Sequence, residues 1–137
     1  MLQSKSVFVN PIGLCDPTPN GYTHVVIAPE EGTTVYIAGQ DGQDEYENFA
    51  DDFATQIKQA FNNLRIALAA AGAQPKHVVK INTFIVDHNE SKLTQLASEV
   101  GAMWGEQTPA QTLVPVPRLA LDRMLFEVDA VAVIPAG

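Results

Sequence analysis

The pattern that most constrains this chain is a change of hydrophobic period. From Phe49 through Phe53, Ile57, Phe61, Leu64 and Leu68 the apolar side chains recur at steps of four, four, four, three and four, the spacing of one face of a helix. A long amphipathic helix is therefore expected from about Tyr46. Gly72, after Ala69-Ala70-Ala71, is placed for a left-handed C-cap, and Pro75 cannot continue the helix. The flanking segments are β-rich instead. His24 to Ala28 and Thr33 to Ala38 surround Pro29-Glu30-Glu31-Gly32, which suits a tight reversal, so the two runs are expected to form a β-hairpin. His77 to Val86 is β-branched and long enough for a strand covered by helix. Leu93, Leu96, Val100 and Met103 or Trp104 return to helical spacing, with Asn89 a candidate N-cap and Gly105 a candidate C-cap. Ala110 to Val116 and Leu125 to Ile134 read as closing strands around a turn-like piece from Arg118 to Arg123.

The resulting order is ββαβαββ, and its simplest packing is an α+β domain: a mixed, mostly antiparallel sheet with two helices on one face. At 137 residues, 46% apolar and 18% charged, the chain fits a single globular domain over residues 1–137. The breaker-rich segment from Asn10 to Gly21, with Pro11, Gly13, Pro17 and Pro19, is expected to be an ordered loop. Helices on one face leave the other apolar face uncovered, so self-association is expected.

Charge and motifs remove several function classes. Sixteen acids against eight bases give a net charge of −8, with no run of Lys or Arg, which disfavours nucleic acid. No apolar stretch approaches the roughly 20 residues that span a bilayer. Met1 to Asn10 lacks a signal-like apolar core, so the cytoplasm is the expected location and no membrane partner is expected. Cys15, the only cysteine, reads as a loop residue. His24, His77 and His88 lack metal-ligand spacing, so neither metal nor cofactor is expected. There is no GxSxG elbow for acyl-enzyme chemistry. Gly39 and Gly42 flank Gln40-Asp41 without a phosphate-loop motif, but mark a place where backbone can approach a ligand closely.

Alternation in the last strand places Phe126, Val128, Ala130, Ala132 and Ile134 on one face. Glu127 and Asp129 share the other face with Leu125, Val131 and Val133. Carboxylates among aliphatics have raised pKa values if buried, a preparation for general acid/base work. The alternative is a wet rim, or pairing with Arg118 or Arg123. Tyr22 and Trp104 either line a pocket or serve packing.

Taken together, these segments resemble the RidA/YjgF (reactive intermediate deaminase) family over nearly the whole chain. Val35-Tyr36-Ile37-Ala38-Gly39-Gln40 is similar to the family's strand ending in Ser-Gly-Gln, and Asp52 to Val86 to its first helix and third strand. Thr108-Pro109-Ala110-Gln111 and the run from Leu125 to Val133 resemble its Pro-Ala-Arg and Glu-Ile-Glu-Ala-Ile-Ala blocks. The resemblance implies a chorismate-mutase-like domain, a homotrimer with ligand clefts between subunits, and hydrolysis of reactive enamines and imines derived from amino acids to 2-oxo acids and ammonia. It places Glu127 as the acid near the ligand and its water. It assigns substrate contacts to Tyr22, Ala38, Gly39, Gln111 and Leu113. Gln111 stands where the family's arginine clamps a carboxylate, Ala38 where a serine is common, and Leu113 where many relatives carry Cys. Arg118, seven residues on from Gln111, is a candidate to supply the missing charge. The expected function is hydrolysis of a C=N or C–N bond of a small metabolite. The alternative is a non-catalytic small-molecule-binding or regulatory module; an endoribonuclease is a third reading, disfavoured by the acidic charge.

Overall fold

The computed structural model describes residues 3–137, so Met1 and Leu2 of the signal-peptide reading lie outside the described residues. The elements run β1 (Val7–Val9), β2 (Val25–Ile27), β3 (Gly32–Asp41), α1 (Phe53–Ala70), β4 (Val78–Val86), α2 (Glu90–Trp104), β5 (Ala110–Val116) and β6 (Phe126–Pro135). β3, β6, β4 and β5 form one sheet in that spatial order. β6 runs antiparallel to both neighbours, whereas β4 and β5 are parallel and joined through α2. This is the expected mixed, mostly antiparallel sheet.

The layering follows from the alternation of β6. Phe126, Val128, Ala130 and Ala132 are buried and pack with Ile81 and Ile85 of β4. Ile57, Phe61, Leu64 and Leu68 of α1 and Leu96 and Val100 of α2 complete this core. Phe126 meets Phe53 edge-on at 6.0 Å between ring centroids and Phe61 at 5.7 Å, and Trp104 meets Phe61 edge-on at 6.1 Å. Burying each such large side chain contributes about 1.5–3 kcal/mol. Trp104 therefore serves packing, with its indole N–H donating to the Pro75 carbonyl at 2.8 Å.

Both helices begin where a side chain satisfies otherwise orphaned backbone N–H groups. Asp52 accepts from the Thr55 amide at 2.9 Å, and Asn89 accepts from the Lys92 amide at 2.9 Å. Asn89 and Gly105 bound α2 as expected, and Gly72 takes a left-handed φ of 73° just past α1. The start of α1 differs from expectation. It begins at Phe53, not near Tyr46, because the Asp44 carboxylate binds the amides of Tyr46 and Asn48 and holds a turn there. Glu47 takes a positive φ of 68° within that turn. Phe49 is buried ahead of the helix, with the Arg123 guanidinium over its ring.

The expected hairpin between residues 24–28 and 33–38 does not form. β2 pairs antiparallel with β1, a strand within the N-terminal segment, and β3 pairs with β6. Contacts distant in sequence decide this. The Thr23 amide donates to the Pro109 carbonyl at 3.2 Å, and the buried hydroxyls of Thr23 and Thr108 lie 3.0 Å apart. Gln3 meanwhile donates to the carbonyls of Ile27 and Ala28. The chain before β2 is thus held at the β5 edge, and the turn-like sequence Pro29 to Gly32 joins two different sheets.

One buried polar side chain fixes where β6 begins. Gln56 on α1 is 1% exposed, and its amide donates to the carbonyls of Ala50 and Arg123 at 2.8 and 2.9 Å. Its oxygen accepts from the Leu125 amide at 2.9 Å. A Cβ at Gly42 would stand 2.7 Å from Gln56 Cβ, so glycine is needed for the preceding loop to pass. Gln56→Leu keeps the volume and orphans three backbone groups. It is expected to destabilise the fold by about 2–4 kcal/mol, measured by urea unfolding; a loss indistinguishable from zero would show that the clamp is dispensable.

Candidate functional site

Glu127 lies on the sheet face away from the helices, opposite Asp41 of β3 and Phe84 of β4. Between Ile37 and Gln40 the register of β3 shifts, so Ala38 and Gly39 form an irregularity directly over it. A Cβ at Gly39 would overlap the Glu127 carboxylate and stand 2.5 Å from its Cδ. Glycine thus opens the space in which this side chain lies. Partial burial pushes the Glu127 carboxyl above its ordinary range, and the negative charges of Asp41 and then Asp129 add to the shift. Asp129 is held by Asn82, whose side-chain amide donates to it at 2.9 Å. Neither arginine offered by the alternative reading pairs with these acids. Arg118 bridges to Asp122 at 2.6 Å in the loop before β6, and Arg123 donates to the Phe49 carbonyl at 2.9 Å.

A separate cavity of about 420 Å³ opens at the β5 edge, between β5, α2 and the turn that carries Tyr22. Gln111 and Leu113 enter it from β5, Leu93 and Leu96 from α2, and Tyr22 and His88 from loops. Gln111 is held at both ends of its amide. Its oxygen accepts from the buried Thr83 hydroxyl at 3.1 Å, and its nitrogen reaches the Gly21 carbonyl at 3.4 Å. Gly21 has a φ of 74° and stands so close to Ala97 that a Cβ would be 3.0 Å from the helix backbone, so the turn packs tightly on α2. Tyr22 Oη lies 3.9 Å from Cys15 Sγ. Hydrogen bonding to Cys15, then burial, raises the phenol, which therefore keeps its proton. Cys15 itself is an exposed, free thiol in the loop.

Pairing places the two groups of candidate residues on opposite faces of the sheet. Gln111 and Leu113 align with Ile81 and Thr83, which point to the helices, whereas Glu127 aligns with Phe84, which points away. The structure therefore brings Tyr22, Gln111 and Leu113 together, and separately Ala38, Gly39 and Glu127. Arg118 is absent from the described lining of the cavity. His88 is the cavity residue that sequence reasoning missed. Its Nδ1 is buried without a hydrogen-bond partner among the described residues, and its position just before the Asn89 cap gives no local signal of this. Among the described residues no three His, Cys, Asp or Glu side chains converge as metal ligands.

Residues 16–134 match the family model described as endoribonuclease L-PSP. The chain is 32% identical over 120 residues to a RutC family protein of Pyrococcus horikoshii, covering 85% of this chain and 90% of that one. It is 27% identical over 136 residues to a 2-iminobutanoate/2-iminopropanoate deaminase of Dermatophagoides farinae, covering 97% and 99% of the two chains. Among solved structures, the Rid family protein YyfB of Yersinia pestis superposes with a TM-score of 0.90 at 30% identity, covering 95% of this chain and 99% of that one.

The raised Glu127 carboxyl has a thermodynamic consequence. The folded chain binds this proton more tightly than the unfolded chain, so protonation stabilises the fold. That contribution is present at acid pH and is lost as pH rises from the ordinary carboxylate value of 4.5 through the folded pKa. Glu127→Gln, uncharged at every pH, is expected to match the wild type near pH 4 and to exceed it at pH 7. The gain should be below about 1 kcal/mol, because the group is only partly buried and remains solvent-screened. Parallel denaturation curves at the two pH values check it; a variant less stable than the wild type at pH 7 would contradict the raised pKa.

Proposed function

The chain belongs to the RidA/YjgF family, whose model is described as endoribonuclease L-PSP, and on that premise we propose that it hydrolyses a C=N bond of a small metabolite in a cleft shared between subunits. The observation that carries the reading is Glu127: a carboxyl with a raised pKa, given space by a glycine and flanked by two further acids. As general base it takes a proton from water while the oxygen attacks the imine carbon. The same carboxyl passes that proton to the nitrogen, then relays the hydroxyl proton of the resulting carbinolamine to the nitrogen as the C–N bond breaks, so imine and water give a carbonyl compound and ammonia. Tyr22, which retains its phenolic proton, is suited to donate a hydrogen bond to the substrate from the other side.

One chain holds these groups on opposite faces of its sheet, so the proposed cleft needs a second chain. The uncovered face supports self-association, and membership of the family supports a homotrimer as its form. That face carries Tyr36, 80% exposed, and Val114, 38% exposed, alongside Val131, Val133 and Phe84. The similarity to an imine deaminase, at 27% identity, supports the reaction class. An RNA substrate is disfavoured by the net charge of −8. A second reading, a binding module without turnover, is favoured by Gln111, whose amide is already engaged by Thr83 and Gly21 and which offers no charge to a carboxylate.

Ammonia release from a panel of imines and enamines tests the proposal, with Glu127→Gln expected to fall at least about a hundredfold in kcat. Equal rates in both proteins would remove Glu127 from the chemistry, and no turnover with any substrate would favour the binding module. Gln111→Arg can donate to the Gly21 carbonyl and the Thr83 oxygen that now flank the amide. It is expected to raise activity on 2-aminoacrylate by up to about tenfold to a hundredfold, the range of one charged hydrogen bond. A correctly assembled variant with no gain would show that the rest of the cleft does not suit a carboxylate.

A further inference from the structure

The cavity beside β5 has a composition that selects its ligand. Leu93, Leu96 and Leu113 supply apolar wall. Its polar groups are Gln111, Tyr22 and His88, with Asn20 and Thr112 at the margin, and among the described lining residues none is Lys, Arg, Asp or Glu. A carboxylate entering such a space would give up its hydration without meeting a fixed positive charge, a cost that neutral donors offset only in part. An uncharged amide or imine gives up less and matches what is present. The Gln111 amide and the Tyr22 hydroxyl each have hydrogen-bonding capacity beyond their bonds within the chain.

His88 supplies the second, independent observation. Its Nδ1 is the buried side-chain polar atom left without a partner among the described residues, and an unmet buried polar group is costly unless something pairs with it. The same side chain lines the cavity. A neutral imidazole carries one donor and one acceptor nitrogen, and so complements a carboxamide, which also carries both. Two lysines adjoin lining residues and neither is itself part of the lining: Lys80 bonds the Thr112 hydroxyl at 3.0 Å from the sheet face away from the helices, and Lys92 is engaged by the Val86 and Asp87 carbonyls at 2.9 and 2.7 Å.

We infer that this cavity is the substrate-binding half of the cleft and selects an uncharged ligand, an amide or imine with a small branched aliphatic group, through His88, Gln111 and Tyr22. The inference rests on the proposed function for the cavity's role, but its test reads binding and not turnover. Isovaleramide and isovalerate are matched in shape and differ in charge. They are titrated into the full-length protein while the His88 ring and Gln111 amide resonances are followed by NMR, assigned through His88→Asn and Gln111→Leu.

The expected result is that isovaleramide shifts both resonances and binds at least about tenfold more tightly than isovalerate. His88→Asn should weaken the amide with little effect on the carboxylate, and Gln111→Arg should reverse the order of the pair. Isovalerate binding as tightly as the amide, or neither ligand shifting the cavity resonances at its solubility limit, would overturn the inference. If isovalerate binds and Lys80→Met abolishes that binding, Lys80 is the missing cation and the inference also fails. Selectivity for the amide in a protein without hydrolytic turnover would retain this inference and reject the hydrolase reading.

Discussion

Strict alternation along β6 is the constraint on which the rest of the structure depends. One set of side chains, Phe126, Val128, Ala130 and Ala132, closes the core beneath both helices, and the intervening set carries Glu127 and Asp129 to the other face. A slip of one residue would bury two carboxylates and expose four apolar groups, a cost of many kcal/mol. The register is accordingly fixed at its start by Gln56, two of whose three hydrogen bonds join α1 to the backbone on either side of Met124, the third holding Ala50. The position of Glu127 and the stability of the domain thus share one physical origin.

That two-sidedness also explains why the candidate residues do not converge within a single chain. β5 lies on the far side of β4 from β6, and its Gln111 and Leu113 follow the face of Ile81 and Thr83. The cavity they line is apolar with neutral polar groups, whereas Glu127 sits among acids. In the proposed function, binding and proton transfer belong to two surfaces that a symmetric assembly can bring together. The uncovered face, which one chain cannot bury, is the surface through which it would do so.

Much of this was legible in the sequence, and the misses have a common cause. Period-2 alternation in β6, period-3.6 spacing in both helices and the caps Asn89, Gly105 and Gly72 are local signals, and β6, α2 and the end of α1 formed where they placed them. The failed hairpin and the late start of α1 were set by nonlocal or competing hydrogen bonds. Thr23 is tied to Thr108 and Pro109, more than eighty residues away, and no local turn signal encodes that contact. Asp44 captures amides that a longer helix would have used, so propensity lost to a specific side-chain bond. For the site, the face of Glu127 was readable from alternation alone. His88 was not, because nothing near it in sequence distinguishes a cavity-lining histidine from an exposed one.

The claim that the complete cleft is built from two chains can be tested without any assumption about substrate. Asn20 at the rim of the cavity and Ala38 above Glu127 are both exposed, so each accepts a cysteine in a Cys15→Ser background. Asn20→Cys and Ala38→Cys proteins are co-expressed, treated with a short bis-maleimide at low protein concentration and resolved on a denaturing gel. A shared cleft gives a strong covalent band joining the two different chains, and each variant alone gives far less. A protein that sediments as a 14.8 kDa monomer, or that forms no such band, would contradict the two-chain cleft.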